Sequence, residues 1–455
     1  MDAVERRLAE RRAMIIDELK AFVAIPSVST DPAYADGVRR AAEFVAQRLA
    51  AAGLADAAVR PTAGHPVVTA SWRNKPGKPT ILVYGHYDVQ PPDPIEAWLT
   101  PPFEPVVHGK RLYGRGASDD KGPMLIPIKV VEAFLAERGE LPINAVFLFE
   151  GEEEVSSASL EDFVNANRDM LAADFALSAD GAQWRLDLPS VIVGSRGSCA
   201  LEVIVRGAAK DLHSGRHGGA IANPIAALAR LLANLHEDDG RIAVPGFYDA
   251  VSPVSAEERA AIGAIPFDER AYLDSIGVSE GFGEQGFSLL ERNWIRPTLE
   301  FNGIVGGYAG RGKKTVIPAQ ASAKITCRLV PRQDPADIGR RIAEHLTGNS
   351  PRGVTVEVCA ERGSAESYAL PADHKGLILA EQVLAEITGK GPLRVRMGAT
   401  IPIGGIFKRA LGIDTVFFSF ATSDEDYHAP NEFFRLASPD AGLRAWARYL
   451  DRLGA

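Results

Sequence analysis

The stretch "INAVFLFEGEEEVSS", residues 143–157, sets the terms of the fold. Its first half, Ile143–Phe149, is short, continuous and rich in branched and aromatic side chains, the texture of a strand buried on both faces. Its second half puts Glu150, Glu152, Glu153 and Glu154 within five positions. Carboxylates packed that closely repel one another. Either the chain turns out into water there, or something positive sits at the strand's end.

On either side of this stretch, helical and strand-like segments alternate. Helical periodicity covers roughly Val38–Leu54 and Met124–Arg138, with another helix near Ala158–Arg168, while "TILVY" (Thr80–Tyr84) and "DFALS" (Asp174–Ser178) read as strands. Strands separated by helices predict an α/β layer, a mostly parallel sheet with helices on both faces, and ligands gather at the carboxyl ends of such strands. From about Val191 the texture changes. "CALEVIVRG", "ASAKITCRLVP" and "VTVEVCAE" alternate as half-exposed strands do, with "ANPIAALARLLANLHE" and "DPADIGRRIAEHL" reading as helices between them. That pattern predicts a small α+β domain with one sheet face open. The acidic, glycine-containing stretch Pro245–Arg296 inside it has no assignable place. Buried strands return at "TVFFSF" (Thr415–Phe420), and the last helix is "DAGLRAWARYLDRL". The expected organisation is a catalytic layer over 1–193 and 369–455, interrupted by an inserted domain over 194–368.

The composition narrows the class. With 455 residues, 46% hydrophobic and 24% charged, the chain has material for a large core spread over more than one domain. A net charge of −9 argues against nucleic acid or an anionic membrane as partner. Cys199, Cys327 and Cys359 are too far apart for a disulfide framework or a cysteine zinc site, which fits a reducing cytoplasm. The first residues, "MDAVERRLAERRAMIIDELKAFVAI", form an amphipathic helical pattern without the apolar core of a signal peptide. No apolar window approaches the ~20 residues of a membrane span, so a soluble cytoplasmic protein is expected.

Five polar clusters follow apolar, strand-like runs. They are Gly85-His86-Tyr87-Asp88, Asp119-Asp120, Glu150–Glu154, Ala179-Asp180, and "ATSDEDYHAPNE" with His428. A single H-x-D is more often a turn histidine beside a solvated aspartate, and a single aspartate before a helix is more often a cap. Taken together, two histidines and at least three carboxylates make a mixed nitrogen and oxygen donor set without thiolates, which suits zinc, manganese or cobalt. The surplus of carboxylates suggests two ions sharing one of them. Dications would hold the clustered carboxylates ionised. Asp88 is placed to fix the tautomer of His86 from behind.

"GHYDVQP", "LYGRGASDDKGP", "EGEEEVSS", "DLHSG", "GGYAGRGKKTVIPA" and "DYHAPNE" resemble, in order, the signature segments of the dinuclear-zinc aminoacylase/carboxypeptidase superfamily, in its carnosinase and cytosolic non-specific dipeptidase branch. The resemblance runs from "AIPSVS" at residue 24 to "HAPNEFF" near residue 434. It implies two divalent metal ions per chain, zinc first. His86 would bind one ion and His428 the other, Asp119 would bridge them, and Glu154 and Asp180 would complete the ligand set. Glu153 corresponds to the general base for hydrolysis of the peptide bond of dipeptides by a water between the ions; Glu150 and Glu152 have no counterpart role. The inserted domain becomes a lid and dimerisation domain, whose His213 stabilises the oxyanion in a neighbouring subunit's site. Arg328 would pair with the substrate carboxylate, with Asn302, Thr400 and, across the subunit boundary, Thr315 as further substrate contacts. A cis peptide between Asp119 and Asp120 is also implied.

Two segments depart from the family pattern. "MGATIPIGG" carries Ala399 and Thr400 where G-G-S-I-P is usual, so the hydroxyl is kept on a bulkier side chain. Val155-Ser156-Ser157 replaces a segment that usually contains glycine, and serine does not readily adopt positive φ. Asp180, where many deacylases carry glutamate, favours a peptidase. The alternatives are an N-acyl-amino-acid deacylase with the same ions and a non-catalytic metal- or peptide-binding protein.

Overall fold

The computed structural model describes residues 2–361 and 363–455. They divide into two compact units. The first runs through Val193 and takes in Leu370–Val395 and Ile403–Ala455; the second is Gly194–Ala369 with Arg396–Pro402. The short segment carrying Thr400 thus clusters with the second unit rather than with the chain on either side of it.

In the first unit the strands lie side by side in the order Ala58–Arg60, Val67–Trp72, Asn144–Glu150, Thr80–His86, Phe175–Ser178, Thr415–Phe417 and Ser190–Ser195. The middle four run parallel and the outer pairings are antiparallel. Register aligns His86 with Glu150 and Tyr84 with Ser178, so these strands finish along one edge of the sheet. Both faces are covered. A Cβ on Gly85 would come within 2.8 Å of Met124 Cβ, so this face lies directly against the helix Lys121–Arg138. Tyr84, one residue earlier, points to the opposite face. There it meets Phe407 edge-on, with ring centroids 5.6 Å apart.

The expected elements form with shifted ends. "TILVY" continues as strand to His86, because Gly85 and His86 stay in register with Phe149 and Glu150. "TVFFSF" pairs only over Thr415–Phe417. The helix expected near Ala158–Arg168 breaks at Asn167 into Leu160–Ala166 and Arg168–Leu171.

The second unit carries an antiparallel sheet in the order Thr298–Gly306, Gln320–Leu329, Gly197–Arg206, Thr355–Ala360. Strict alternation along Gly197–Arg206 turns Cys199, Leu201, Val203 and Val205 into a core with Leu228, Leu231, Ile338 and Ile342 from the helices Pro224–Ala233 and Pro335–Gly348. Thr298–Gly306 is an edge strand that sequence periodicity did not reveal. It has a register shift between Phe301 and Gly303. Ile304 and Val305 on it are 62% and 71% exposed, a bare apolar edge that other chains can pair with. The unplaced stretch Pro245–Arg296 folds as three short helices, Ala256–Gly263, Glu269–Ser275 and Leu289–Ile295.

Candidate metal centre

The shared edge of the first sheet gathers the polar clusters. His86, fully buried at its strand end, points Nε2 at Asp119 Oδ1, 3.0 Å away, and at Asp180 Oδ1, 4.0 Å away. His428 points Nε2 at the other Asp119 oxygen, 3.1 Å away, and at Glu154 Oε2, 3.3 Å away. Two triads result, His86/Asp119/Asp180 and Asp119/Glu154/His428, and within each the donor atoms lie within 4.8 Å of one another. Asp119 belongs to both. Five side chains from distant parts of the chain meet in one place.

Asp88 is fully buried behind His86 and has two tasks. Its backbone oxygen is 3.1 Å from His86 Nδ1, nearer than its carboxylate at 3.5 Å. The carboxylate instead accepts the backbone N–H groups of Glu153 (3.2 Å) and Glu154 (3.1 Å). One aspartate therefore ties the histidine strand to the glutamate turn. Gln90 donates to Glu154 Oε2 at 2.8 Å, a contact that the sequence did not single out.

The four glutamates separate by role. Glu150 is still in the strand and accepts from Tyr84 and Ser157. Glu152 staples two loops, accepting from the backbone of His65 and Ser159. Glu153 and Glu154 turn back over the site in a single 3-10 turn. The side chain of Glu153 makes no hydrogen bond among the described residues, so its carboxylate is free to accept a proton. Ser156 (φ 72°) and Ser157 (φ 50°) both adopt the left-handed region. Glycine is not needed for it: their amides bond Glu153 O and Glu152 O, both at 2.8 Å, and Ser157 Oγ anchors to Glu150, which together hold the strained backbone.

The segment bearing Asp119 hangs from Glu432, which is buried. Its carboxylate accepts from the backbone of Gly116 (2.9 Å), Ser118 (2.9 Å) and Asp119 (3.1 Å) and from Arg115 Nη1 (2.8 Å). Glu432 lies within "DYHAPNE", but nothing in the sequence marks it as the anchor of a segment more than 300 residues away. The Asp119–Asp120 peptide is cis.

Within the cluster the histidines and carboxylates shift one another strongly. Burial would raise Asp119, yet hydrogen bonds from His428 and His86 hold it well below the usual carboxylate range. His428 is correspondingly raised to about 10, first by its bond to Asp119 and then by Glu154. Burial pushes Asp180 up to about 6 against the pull of His86, and pushes Glu153 well up, with Asp180, Glu154 and Asp119 adding to it. Asp120 Oδ1 and Glu150 Oε2 are buried without a hydrogen-bond partner. So many buried carboxylates around two imidazoles fit divalent cations: the donors are nitrogen and oxygen only, and the charge they accumulate calls for a counter-charge.

Within the second unit, His213 ends the short strand Leu212–His213, and Ser214 N donates to Thr315 O, so His213 and Thr315 are neighbours. The Gly215 N–H donates to His213 Nδ1 at 3.0 Å, which leaves the ring proton on Nε2. Arg328 Nη1 donates to Thr400 Oγ1 at 2.7 Å. Asn302 stands at the register shift of the edge strand, exposed, and hydrogen-bonds none of these four among the described residues.

A central parallel sheet whose strand ends carry two histidine/carboxylate triads sharing one aspartate defines a metal-dependent hydrolase. The chain belongs to peptidase family M20/M25/M40, which matches residues 82–452. It is 30% identical to the Cys-Gly metallodipeptidase of Candida albicans over 98% of this chain and 96% of that one. It is 33% identical to the human Beta-Ala-His dipeptidase over 81% of this chain and 73% of that one. Among solved structures, human carnosine dipeptidase 1 superposes with a TM-score of 0.85 at 30% identity, covering 99% and 98% of the two chains. An M20 family metallo-carboxypeptidase from Sulfolobus solfataricus superposes with a TM-score of 0.88 at 29% identity, covering 97% and 99%.

Proposed function

We propose that the chain is a dipeptidase holding two divalent cations, zinc in the first place, with manganese and cobalt suited to the same donors. The observation that carries this reading is Asp119 serving two triads beside an uncommitted Glu153. The dipeptidases named above as relatives support the substrate class. His86, Asp119 and Asp180 would hold one ion, and His428, Asp119 and Glu154 the other. Bound there, the ions supply Lewis acidity and lower the pKa of water. Glu153 takes the proton of the attacking water and passes it to the leaving amine, a role suited to a carboxylate whose proton affinity burial raises. Asp88 holds His86 and the Glu153–Glu154 backbone in place. His213, with its proton on Nε2, donates to the developing oxyanion in a neighbouring subunit's site. Arg328 grips the C-terminal carboxylate of the substrate, with Thr400 and Asn302 around it, while Thr315, beside His213, contributes across the subunit boundary.

The inserted segment 194–368 is the lid and dimerisation domain in this reading. A homodimer is supported by the bare edge strand, where Phe301, Ile304 and Val305 are exposed with Ile221, Ile225 and Tyr308 also uncovered in the same unit. No helix among the described residues is long and apolar enough to cross a membrane. We assign the enzyme to the cytoplasm on its three free cysteines, two of them buried.

The test is metal analysis together with rates on dipeptides and on N-acetyl amino acids. Two metal equivalents with dipeptides cleaved and acetyl amino acids spared supports the proposal. The reverse preference moves the protein to the deacylase reading. No hydrolysis of either in the presence of zinc or manganese leaves a binding protein.

Removing metal has an effect of definite sign on stability. His428 rises from 6.5 to about 10 on folding, so its contribution is full below pH 6.5 and is lost as the pH climbs through about 10. Asp180 rises from 3.8 to about 6, so ionising it in the folded state adds a penalty over that interval. Both bind more protons folded than unfolded, so stability falls as pH rises. Metal-stripped protein should therefore melt at a lower temperature at pH 9 than at pH 5, and added zinc should remove most of the difference. A flat Tm profile in the stripped protein would contradict this.

A further inference from the structure

We infer that Arg196 is a positioning residue for carboxylate recognition, and that the Pro245–Arg296 stretch exists in part to support it. The inference rests on the dipeptidase reading, in which Arg328 meets the substrate carboxylate.

Arg196 lies between the strands Ser190–Ser195 and Gly197–Arg206 and is only 8% exposed. A guanidinium so deeply buried would ordinarily face an acid. Among the described residues Arg196 makes no ion pair and bonds only backbone oxygens. Nε donates to Gly398 O at 2.7 Å, and Nη1 to Arg296 O at 3.2 Å and to Arg292 O at 3.5 Å. Its own N–H is shared between Met397 O (3.3 Å) and Ala399 O (3.2 Å). Side chain and backbone together thus grip residues 397–399, immediately before Thr400. Thr400 is where Arg328 rests.

The other jaw of this clamp is the end of the helix Leu289–Ile295. The carbonyls of Arg292 and Arg296 lie at its C-terminus, the end whose dipole favours a cation. Asn293 in the same helix closes on Gly398: a Cβ there would meet Asn293 Oδ1 at 1.8 Å and Asn293 O at 3.0 Å. The last helix of the insertion therefore buttresses the loop that Arg196 ties down.

Arg328 opposes Ser198 in the sheet, two residues beyond Arg196, and likewise forms no ion pair among the described residues. The nearby acid is Glu300, across the sheet from Thr326, and it pairs with neither arginine. Two guanidiniums share one region, with Glu300 near enough for its charge to reach Arg196 but no carboxylate in an ion pair with either among the described residues. Burial lowers both, and the charge of Arg328 lowers Arg196 further, to about 10, against a partial offset from Glu300; a guanidinium stays charged in proteins. The missing counter-ion is the carboxylate of the peptide. Arg328 contacts it; Arg196 fixes the loop and adds to the field.

Losing a charge-assisted anchor of this kind should raise KM about tenfold or more. The experiment compares wild type, Arg196→Met and Arg196→Lys on a dipeptide and on the same dipeptide amidated at its C-terminus. Arg196→Met should raise KM for the free acid with little change in kcat, and should barely affect the amide, which has no carboxylate to hold. Arg196→Lys keeps the charge but not the planar fork, so its KM should fall between. If Arg196→Met does not fold, judged by its melting curve, the same comparison is read from Arg196→Lys. A wild type that prefers the acid, with variants that keep wild-type KM, overturns the role of Arg196 alone; so do equal losses on acid and amide. A wild type that cuts both alike removes the carboxylate anchor itself. One that cuts no dipeptide removes the parent reading, and the clamp with it.

Discussion

Glu153→Gln lowers kcat by about 10²–10⁴-fold while the metal content of the chain stays at the wild-type level. Glutamine matches the shape of glutamate but cannot accept the proton. Glu153 belongs to neither triad, so both donor sets survive the change. The backbone bond from its N–H to Asp88 also survives, because it does not involve the side chain. Inductively coupled plasma measurement of bound metal beside steady-state kinetics separates the outcomes. Loss of metal along with activity would make Glu153 a ligand and would require base and ligand to be reassigned.

Asp119→Ala is expected to cost both ions at once. Each triad would keep two donors, and apparent affinity should fall by more than about 100-fold, beyond the loss typical of an outer-shell change. The informative contrast is with single-triad variants. Asp180→Ala should weaken mainly one ion and Glu154→Ala mainly the other, whereas Asp119→Ala should leave dialysed protein nearly metal-free. Retention of one full equivalent by Asp119→Ala would show that the two triads do not share their centre.

Much of the first unit was legible because its strands are buried on both faces and read as continuous apolar runs, Ile143–Phe149 above all. What lay hidden was what apolar patterning does not encode. The edge strand Thr298–Gly306 reads "TLEFNGIVG", polar and glycine-containing, with most of its residues exposed, so neither burial nor alternation marks it. The ends of Thr80–His86 were set by pairing with Asn144–Glu150 rather than by composition. At the site, residue types at strand ends suggested the donors, but the second task of Asp88, the hold of Glu432 on the Asp119 segment and the contact of Gln90 with Glu154 are visible only in three dimensions. Ser156 and Ser157 show the limit of a propensity argument: both take a conformation suited to glycine because hydrogen bonds on either side dictate it.

The bare edge strand has a further consequence for the chain on its own. Unpaired N–H and C=O groups beside Ile304 and Val305 offer a template onto which any extended segment can stack. Such a strip favours self-association at high concentration, whatever the melting point of either unit.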